Sequence, residues 1–248
     1  MSKVRLDQLL VARGLAQSRE RARALILAGD VLVDGASVTK AGTAVAETAD
    51  IVLKQPDHPW VGRGGIKLAH ALEVFGLDVT GVTALDIGAS TGGFTDVLLQ
   101  RGAARVVALD VGRHQLDWRL RNDPRVTSVE GVNARYLQPG DLPAGMREFD
   151  LIAVDVSFIS LAHILPVVPP MLARAGRVVA LVKPQFEAGR EEVGPGGIVR
   201  DPAVHQRAID HVTAAARAAG LERLGLTPSP VTGAEGNQEF LLLLGRPA

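Results

Sequence analysis

The residue pattern that most constrains the fold is a glycine-rich turn at the end of an apolar run. Residues 82–87 form the run, with Asp86 near its end, and residues 88–94 follow as Gly-Ala-Ser-Thr-Gly-Gly-Phe. Glycine adopts turns that other residues resist, so the backbone there can curve closely around a bound molecule. A second acidic residue, Asp110, ends the next strand-like run, residues 105–109. Two carboxylates at the ends of adjacent parallel strands, with a glycine turn between them, predict a site for a nucleoside-containing cofactor.

Strand-like and helix-length segments alternate from residue 83 onward. Such alternation predicts an α/β fold with a mainly parallel sheet that is covered on both faces. Only residues 227–237, rich in proline and glycine, separate the last two candidate strands, which leaves too little chain for a helical crossover. We therefore expect an antiparallel last strand. The candidate strands are 83–87, 105–109, 126–129, 151–155, 177–182, 222–226 and 239–244.

Composition excludes several kinds of site. The 248 residues include no cysteine, which excludes disulfides, thiolate chemistry and cysteine-bound zinc. The six histidines show no H-E-x-x-H spacing, so we predict no metal site. The longest uncharged run, residues 156–173, contains three prolines and would make a poor membrane span. We expect a cytoplasmic protein without a membrane partner.

Residues 1–55 differ in character from the rest of the chain. Two runs with apolar residues at helical spacing, the second after a Ser18 cap, precede a hairpin with Asp34-Gly35 at its turn. Residues 50–54 supply another short strand. The segment is basic although the whole chain has a net charge of zero, and its cations suit either a solvated helix face or a phosphate-contacting surface. The arginines that we single out as candidate RNA contacts are Arg5, Arg19, Arg21 and Arg23.

This segment resembles an S4 RNA-binding domain, which implies docking on structured RNA through its two helices. The phrases that carry the resemblance are Arg5-Leu6-Asp7-Gln8-Leu9-Leu10, Ser18-Arg19 with Ala22, and Ile26 through Gly35. We expect a small α+β S4-like domain at residues 1–55. A proline-rich polar linker at 56–62 and a second domain at 63–248 follow.

The glycine spacing discriminates between nucleotide cofactors. The glycines after Gly88 are Gly92 and Gly93, which is not the G-x-G-x-x-G of dinucleotide sites, and no G-K-[ST] of a P-loop follows. The turn, the acidic end of the next strand and the antiparallel last strand together resemble S-adenosylmethionine-dependent methyltransferases with a Rossmann-like sheet. In that resemblance the three glycines make room for the methionine part, Asp110 accepts hydrogen bonds from the ribose and Asn133 lies near the adenine. Glycines that only pack a helix on a strand are the alternative. The candidate cofactor-binding residues are Asp86, Gly88, Ala89, Ser90, Gly92, Gly93, Phe94, Asp110, Asn133 and Asp155.

Four charged residues fall where a catalytic edge is expected. Asp155 and Lys183 end candidate strands, and Glu239 begins the last strand, whose start lies beside those ends if it is antiparallel. Lys67, on the helix that enters the domain, completes the group. A ribose 2′-hydroxyl is a weak acid, so its methylation needs a nearby base and alignment with a sulfonium methyl. A lysine serves as that base where burial and a nearby cation disfavour its charged form, and Lys67 is the candidate for that cation.

The order Lys67, Asp155, Lys183, Glu239 resembles that of FtsJ-type RNA 2′-O-methyltransferases, in which the second lysine is the main catalytic residue. Together with an S4 domain it resembles the TlyA family, once called hemolysin A, and residues 155–160 and 183–187 support this closer resemblance. The resemblance implies methylation of cytidine 2′-oxygens in 16S or 23S ribosomal RNA, free or in ribosomal subunits, with Lys183 activating the hydroxyl. The alternatives are a non-catalytic S4-type RNA-binding or assembly protein, a membrane-lytic hemolysin and a base methyltransferase.

Residues 184–202, rich in glycine and proline, are predicted to form a substrate-facing loop. Arg63, Arg190 and Arg200 are further candidate RNA contacts. Phe158 and Phe186 suit either stacking on a splayed base or packing in the core, because RNA recognition favours unstacked bases on aromatic faces.

Overall fold

The computed structural model describes residues 3–16, 18–54, 58–233 and 235–247, so residues 55–57 of the linker region lie outside the described part of the chain. The chain folds as two compact units that divide between Pro59 and Trp60. The division falls inside the region predicted as a linker. Val61 N donates a hydrogen bond to Asp96 Oδ2 at 2.8 Å within the second unit.

The first unit packs two helices against short strands. Its elements are β1 Lys3–Arg5, α1 Leu6–Ala12, α2 Arg19–Leu27, β2 Val31–Val33, β3 Ala36–Ser37, β4 Ala44–Ala46 and β5 Ile51–Leu53. β1 pairs with β4, and β3, β2 and β5 form a second antiparallel sheet. The predicted turn is confirmed, since Asp34 and Gly35 both have the positive φ that such a tight turn requires. Ser18 caps α2, as predicted, by accepting a hydrogen bond from Arg21 N at 3.1 Å.

The second unit is built on a seven-stranded sheet. Its elements are α3 Gly64–Val74, β6 Thr83–Ile87, α4 Gly93–Gln100, β7 Arg105–Asp110, α5 Trp118–Arg121, β8 Val126–Glu130, β9 Phe149–Val154, β10 Leu172–Val182, α6 Pro184–Glu187, α7 Pro202–Ala218, β11 Glu222–Pro228 and β12 Phe240–Gly245. The strand order is β11-β12-β10-β9-β6-β7-β8. β6 to β10 are parallel to one another, whereas β12 is antiparallel to both of its neighbours. The expected α/β fold with an antiparallel last strand is confirmed.

Apolar side chains cover both faces of this sheet. Along β9, Ile152 and Val154 belong to one core cluster with Val212 of α7, and Leu151 and Ala153 belong to another. That second cluster includes side chains of α3 and α4. Alternate residues of a strand point to opposite faces, so a strand covered on both sides is apolar throughout.

Two connections differ from the expected alternation of strands and helices. Residues 131–148 and 155–171 are fully described and contain only short 3₁₀ turns. Pro166, Pro169 and Pro170 lie in the second stretch, and proline lacks the N–H that an α-helix interior needs. Within the described residues, no helix combines the length and apolarity that a membrane crossing requires.

Candidate active site

A cavity of about 500 Å³ lies beyond the carboxyl ends of the central parallel strands. Cavities of roughly 300–1,000 Å³ are typical for small-molecule sites. Five of the predicted cofactor-binding residues line it: Gly88, Ser90, Asp110, Asn133 and Asp155. The edge of the sheet that the sequence pointed to therefore carries the cavity.

Asp110, at the end of β7, fixes the glycine turn. Its carboxylate accepts hydrogen bonds from Ser90 N at 2.8 Å and from Gly112 N at 2.7 Å, one on each oxygen. A carboxylate oxygen can accept two hydrogen bonds, so each retains capacity for a further donor. The residue can thus hold a pair of hydroxyl groups of a ligand while it supports the turn.

Gly88 brings this turn into contact with the segment after β9. It has a φ of +88°, and a Cβ at its position would lie 2.3 Å from the carbonyl oxygen of Asp155. Such a distance is far below van der Waals contact, so only glycine fits here. The close approach joins the glycine turn at one side of the cavity to the strand end that carries Asp155.

Gly92 and Gly93 are closely packed against other parts of the protein. A Cβ at Gly92 would lie 2.3 Å from Leu120, and one at Gly93 would lie 2.9 Å from Gly65 N. Neither residue lines the cavity. That these glycines make room for the methionine part stays a prediction, and the structure adds that a side chain at either position would meet other parts of the protein.

Three further predicted cofactor residues are core residues that do not line the cavity. Ala89 and Phe94 pack in the cluster with Leu68 and Leu98. Asp86 is completely buried and accepts hydrogen bonds from Thr95 N at 3.0 Å and from Thr95 Oγ1 at 2.7 Å. Burial, with smaller contributions from nearby carboxylates, raises the pKa of Asp86 to about 7. The two hydrogen bonds from Thr95 lower this pKa and so oppose part of the rise. These residues attach α4 to β6 beneath the cavity.

The four predicted catalytic residues come together as two ion pairs. Lys183, after β10, has its Nζ 2.6 Å from Asp155 Oδ1, and Lys67 Nζ of α3 contacts Glu239 Oε2. The exposed fractions of Lys67, Lys183 and Glu239 are 9%, 8% and 2%. Burial of a charged group is costly unless a partner compensates it, and here each lysine has a carboxylate partner.

The sheet register explains why these pairs are neighbours. Val182 of β10 is the partner of Phe240 of β12, so Lys183 and Glu239 are the adjoining residues at the same edge. α3 starts close to the other pair, since a Cβ at Gly64 would lie 3.8 Å from Asp155 Oδ2. The antiparallel last strand thus delivers Glu239 to the ends of the parallel strands, as predicted.

Ser157 and Glu187 belong to this edge, and sequence reasoning missed both. Lys183 Nζ donates a hydrogen bond to Ser157 Oγ at 2.9 Å, and Ser157 lines the cavity. Glu187 accepts hydrogen bonds from Ser160 Oγ at 2.5 Å and from Leu161 N at 2.8 Å, and burial raises its pKa. The only available signal was their position in the phrases at 155–160 and 183–187.

Phe158 is the most exposed aromatic residue at the cavity. Its side chain is 90% exposed, its φ of +64° is unusual for a non-glycine residue, and its ring lies 5.3 Å from that of Phe186. Of the two roles left open, core packing is excluded for Phe158. An exposed aromatic ring on a constrained backbone is suited to stacking on a planar ligand.

The predicted RNA-contacting arginines occupy several places. Arg5, Arg19 and Arg23 all contact the carboxylate of Asp7, whereas Arg21 lies 3.2 Å from His58. In the second unit Arg63 is partly exposed, and Arg190 and Arg200 are exposed beside α6 and α7. The structure therefore brings three of these seven residues into one cluster.

Comparisons with known proteins agree with this architecture. The family described as "FtsJ-like methyltransferase" matches residues 60–246, and the S4 domain matches residues 4–51. The 16S/23S rRNA (cytidine-2′-O)-methyltransferase TlyA of Mycobacterium tuberculosis is 48% identical, over 98% of this chain and 90% of its own. Hemolysin A of Brachyspira hyodysenteriae is 40% identical, over 96% and 98%. A solved structure of a putative hemolysin from Streptococcus thermophilus superposes with a TM-score of 0.77 at 46% identity, covering 99% of this chain and 89% of that one.

Proposed function

The chain belongs to the TlyA, or hemolysin A, family of FtsJ-like methyltransferases that carry an S4 domain, and we propose that it methylates cytidine 2′-hydroxyls of ribosomal RNA with S-adenosylmethionine as donor. The observation that carries the proposal is the ion pair between buried Lys183 and partly exposed Asp155, whose carboxylate lines the cavity, at the same sheet edge as Lys67–Glu239. A hydroxyl that enters beside Lys183 would contact the ammonium group of Lys183 as the cation and the carboxylate of Asp155 as the proton acceptor.

The cavity has the features that the donor needs. Asp110 keeps acceptor capacity for two ribose hydroxyls, and Asn133 lines the wall farther along the strand ends. Gly88 and Ser90 shape the turn next to them. When bound, S-adenosylmethionine supplies an electrophilic methyl group on a sulfonium centre. Asp155 borders the same cavity, so donor and acceptor sites adjoin.

Lys183 is the residue that activates the 2′-hydroxyl in this proposal. Its Nζ, held by Asp155 and Ser157, lies within hydrogen-bonding reach of a hydroxyl at the cavity rim. Lys183 would hold the hydroxyl at the cavity, the carboxylate of Asp155 beside it would take up the hydroxyl proton, and bound S-adenosylmethionine would supply the methyl group. Lys67 and Glu239 orient the ribose and fix the neighbouring electrostatic field.

The RNA is held by charge and by stacking. The arginines of the S4 unit contact phosphates without reading sequence, and Arg63, Arg190 and Arg200 add cations on the catalytic unit. Phe158 stacks on the splayed target base, because its ring is exposed at the cavity that holds the donor.

Methyl transfer to ribosomal subunits and to free ribosomal RNA tests the proposal. With labelled S-adenosylmethionine, the wild-type protein should produce 2′-O-methylcytidine, identified by mass spectrometry of digested nucleosides. Lys183→Ala should lower kcat by about 10²-fold or more, since a positioned proton-transfer group contributes about that much. Lys54→Ala, which removes an exposed lysine, is the matched control.

The outcomes separate the alternatives. Full activity of Lys183→Ala would show that this lysine is not the activating group. If the methyl group is found only on a base, the acceptor is a base atom and not the ribose 2′-oxygen. RNA binding without methyl transfer to any of these substrates would favour a non-catalytic S4-type binding protein.

A further inference from the structure

The S4 unit contains a carboxylate that is hidden beneath cations. Asp7, in the first turn of α1, has a fully buried side chain. Arg5 binds it through Nε and Nη2, both at 3.0 Å, Arg19 through Nη2 at 3.3 Å and Arg23 through Nε at 3.2 Å. The three arginine side chains remain 45%, 51% and 54% exposed. We call these four residues the Asp7 cluster.

The Asp7 cluster is not a neutralised ion pair. Three guanidiniums and one carboxylate leave a net charge of +2, and the negative charge is the buried one. A single arginine would suffice to compensate Asp7. The surplus cations repel one another, so without the carboxylate their flexible side chains would disperse.

The cluster also leaves many hydrogen-bond donors facing away from Asp7. Each guanidinium has five N–H groups, and Arg19 and Arg23 each use only one nitrogen on the carboxylate. No other hydrogen-bond partner of these three arginine side chains is found in the described part of the chain. The free donors of a planar guanidinium match the geometry of phosphate oxygens.

We propose that Asp7 is a positioning residue that holds Arg5, Arg19 and Arg23 as one preorganised surface for the phosphate backbone of RNA. The inference rests on the proposed function, in which this unit binds ribosomal RNA. Arg19 and Arg23 are four residues apart on α2 and therefore share a face, while Arg5 approaches from the residue before α1. Asp7 therefore holds arginines from two separate segments together. The three long side chains lose their conformational freedom when the protein folds, so this entropy cost does not fall on RNA binding.

The proposal makes an unusual prediction, that removing a negative charge weakens RNA binding. Asp7→Asn should raise the Kd for 16S and 23S rRNA transcripts by about fivefold or more, because fewer arginines reach phosphates together. The salt dependence of binding should become shallower by about one phosphate contact. Glu20→Gln, an equal charge change at an exposed position of α2, is the matched control and should leave the Kd within about twofold or lower it.

Filter binding over a salt series gives these values, with thermal unfolding of each full-length variant measured in parallel. Asp7→Asn that melts earlier yet binds RNA as tightly as Glu20→Gln would overturn the proposal, since Asp7 would then only stabilise the fold. If Asp7→Asn does not fold, Arg5→Lys decides the question. It keeps the charge but loses the two-pronged contact, so a Kd equal to that of wild type overturns the proposal and a Kd raised by about threefold supports it. A wild-type protein that binds neither transcript would instead contradict the proposed function.

Discussion

The contact between Gly88 and the Asp155 backbone is the most demanding single-residue feature of the site. Gly88→Ala would place a methyl group 2.3 Å from the Asp155 carbonyl oxygen, so the turn or the strand end must shift. We expect the Kd for S-adenosylmethionine to rise by about tenfold or more, since displacements of this size disrupt aligned contacts.

Gly145→Ala is the matched control for that experiment. Gly145 also has a positive φ, +82°, but open space surrounds the position of its missing Cβ. It therefore reports backbone strain without a clash, and calorimetry should find the wild-type affinity for the cofactor. Equal losses in both variants would show that strain alone, and not the Asp155 contact, sets the effect.

Asp86 predicts a pH dependence of stability. Burial raises its pKa from the ordinary 3.8 to about 7, so between these values the unfolded chain loses the proton and the folded chain keeps it. The unfolded state then binds fewer protons, and the free energy of unfolding falls as pH rises from about 4 to about 7, by about 4 kcal/mol at most. Above that range this contribution is constant.

Asp86→Asn should flatten that dependence, because the amide cannot ionise and its oxygen still accepts from Thr95. Urea unfolding of both proteins at pH 5, 6, 7 and 8 measures the difference. Parallel curves for the two proteins would mean that another group titrates in this range.

The residues that sequence analysis found and missed differ in one physical respect. Asp110, Asp155 and Lys183 stand at strand ends, and parallel strands end at a common edge, so their meeting follows from the pattern alone. Ser157 and Glu187 act through loop conformation. That conformation includes the left-handed backbone at Phe158, which no residue pattern in the sequence predicts.

At the scale of elements, Glu187 links the loop after β9 to α6. Its two carboxylate oxygens accept from Ser160 Oγ and Leu161 N, while Ser157 of the same loop holds Lys183 just before α6. The carboxylate thus fixes Ser157 and Phe158 relative to Lys183.

Glu187→Gln should loosen this link, since an amide offers one acceptor oxygen where two donors are present. We expect kcat to fall by about tenfold with the Kd for S-adenosylmethionine unchanged. Glu191→Gln, an equal change at an exposed neighbour, should retain full activity. A raised Kd for the cofactor in Glu187→Gln would indicate general unfolding of the site rather than loss of alignment.

Helices and strands were predicted correctly where the apolar pattern extends over many residues, and they were missed where the element is short. The buried strands and α3 follow from apolar runs and helical spacing. β1 and β4 have three residues each, too few to show alternation, and they form only because they pair with each other. The proline-rich stretch before β10 has the length of a helix but folds as 3₁₀ turns.

At the scale of the whole molecule, the proposed function assigns phosphate binding by the Asp7 cluster to the S4 unit and methyl transfer to the second unit. Arg23→Ala in the S4 unit should raise the KM for ribosomal RNA by about three- to tenfold and leave kcat and cofactor affinity unchanged. Lys183→Ala should do the opposite, with kcat lost and RNA affinity retained. Steady-state methylation with varied RNA separates the two, and a fall in kcat for Arg23→Ala would contradict this division.

The overall fold was predictable because each unit has its own signature. Alternating segments predicted the parallel sheet, and a connection too short for a helix predicted its antiparallel end. The order of the seven strands was not predictable, because it depends on which edges the crossovers cover. β12 inserts between β10 and β11, and no local pattern specifies that position.

The pairing of Lys67 with Glu239 has a consequence during synthesis of the protein on the ribosome. The two residues are separated by 172 positions in the chain. At a translation rate of about 5–20 residues per second, the lysine emerges roughly 10–30 s before its partner exists. Every nascent copy therefore passes through an interval in which Lys67 has been made and the strand that follows Glu239 has not. If the proposed function holds, methyl transfer begins only after the ribosome has added Glu239 and the strand β12 that follows it.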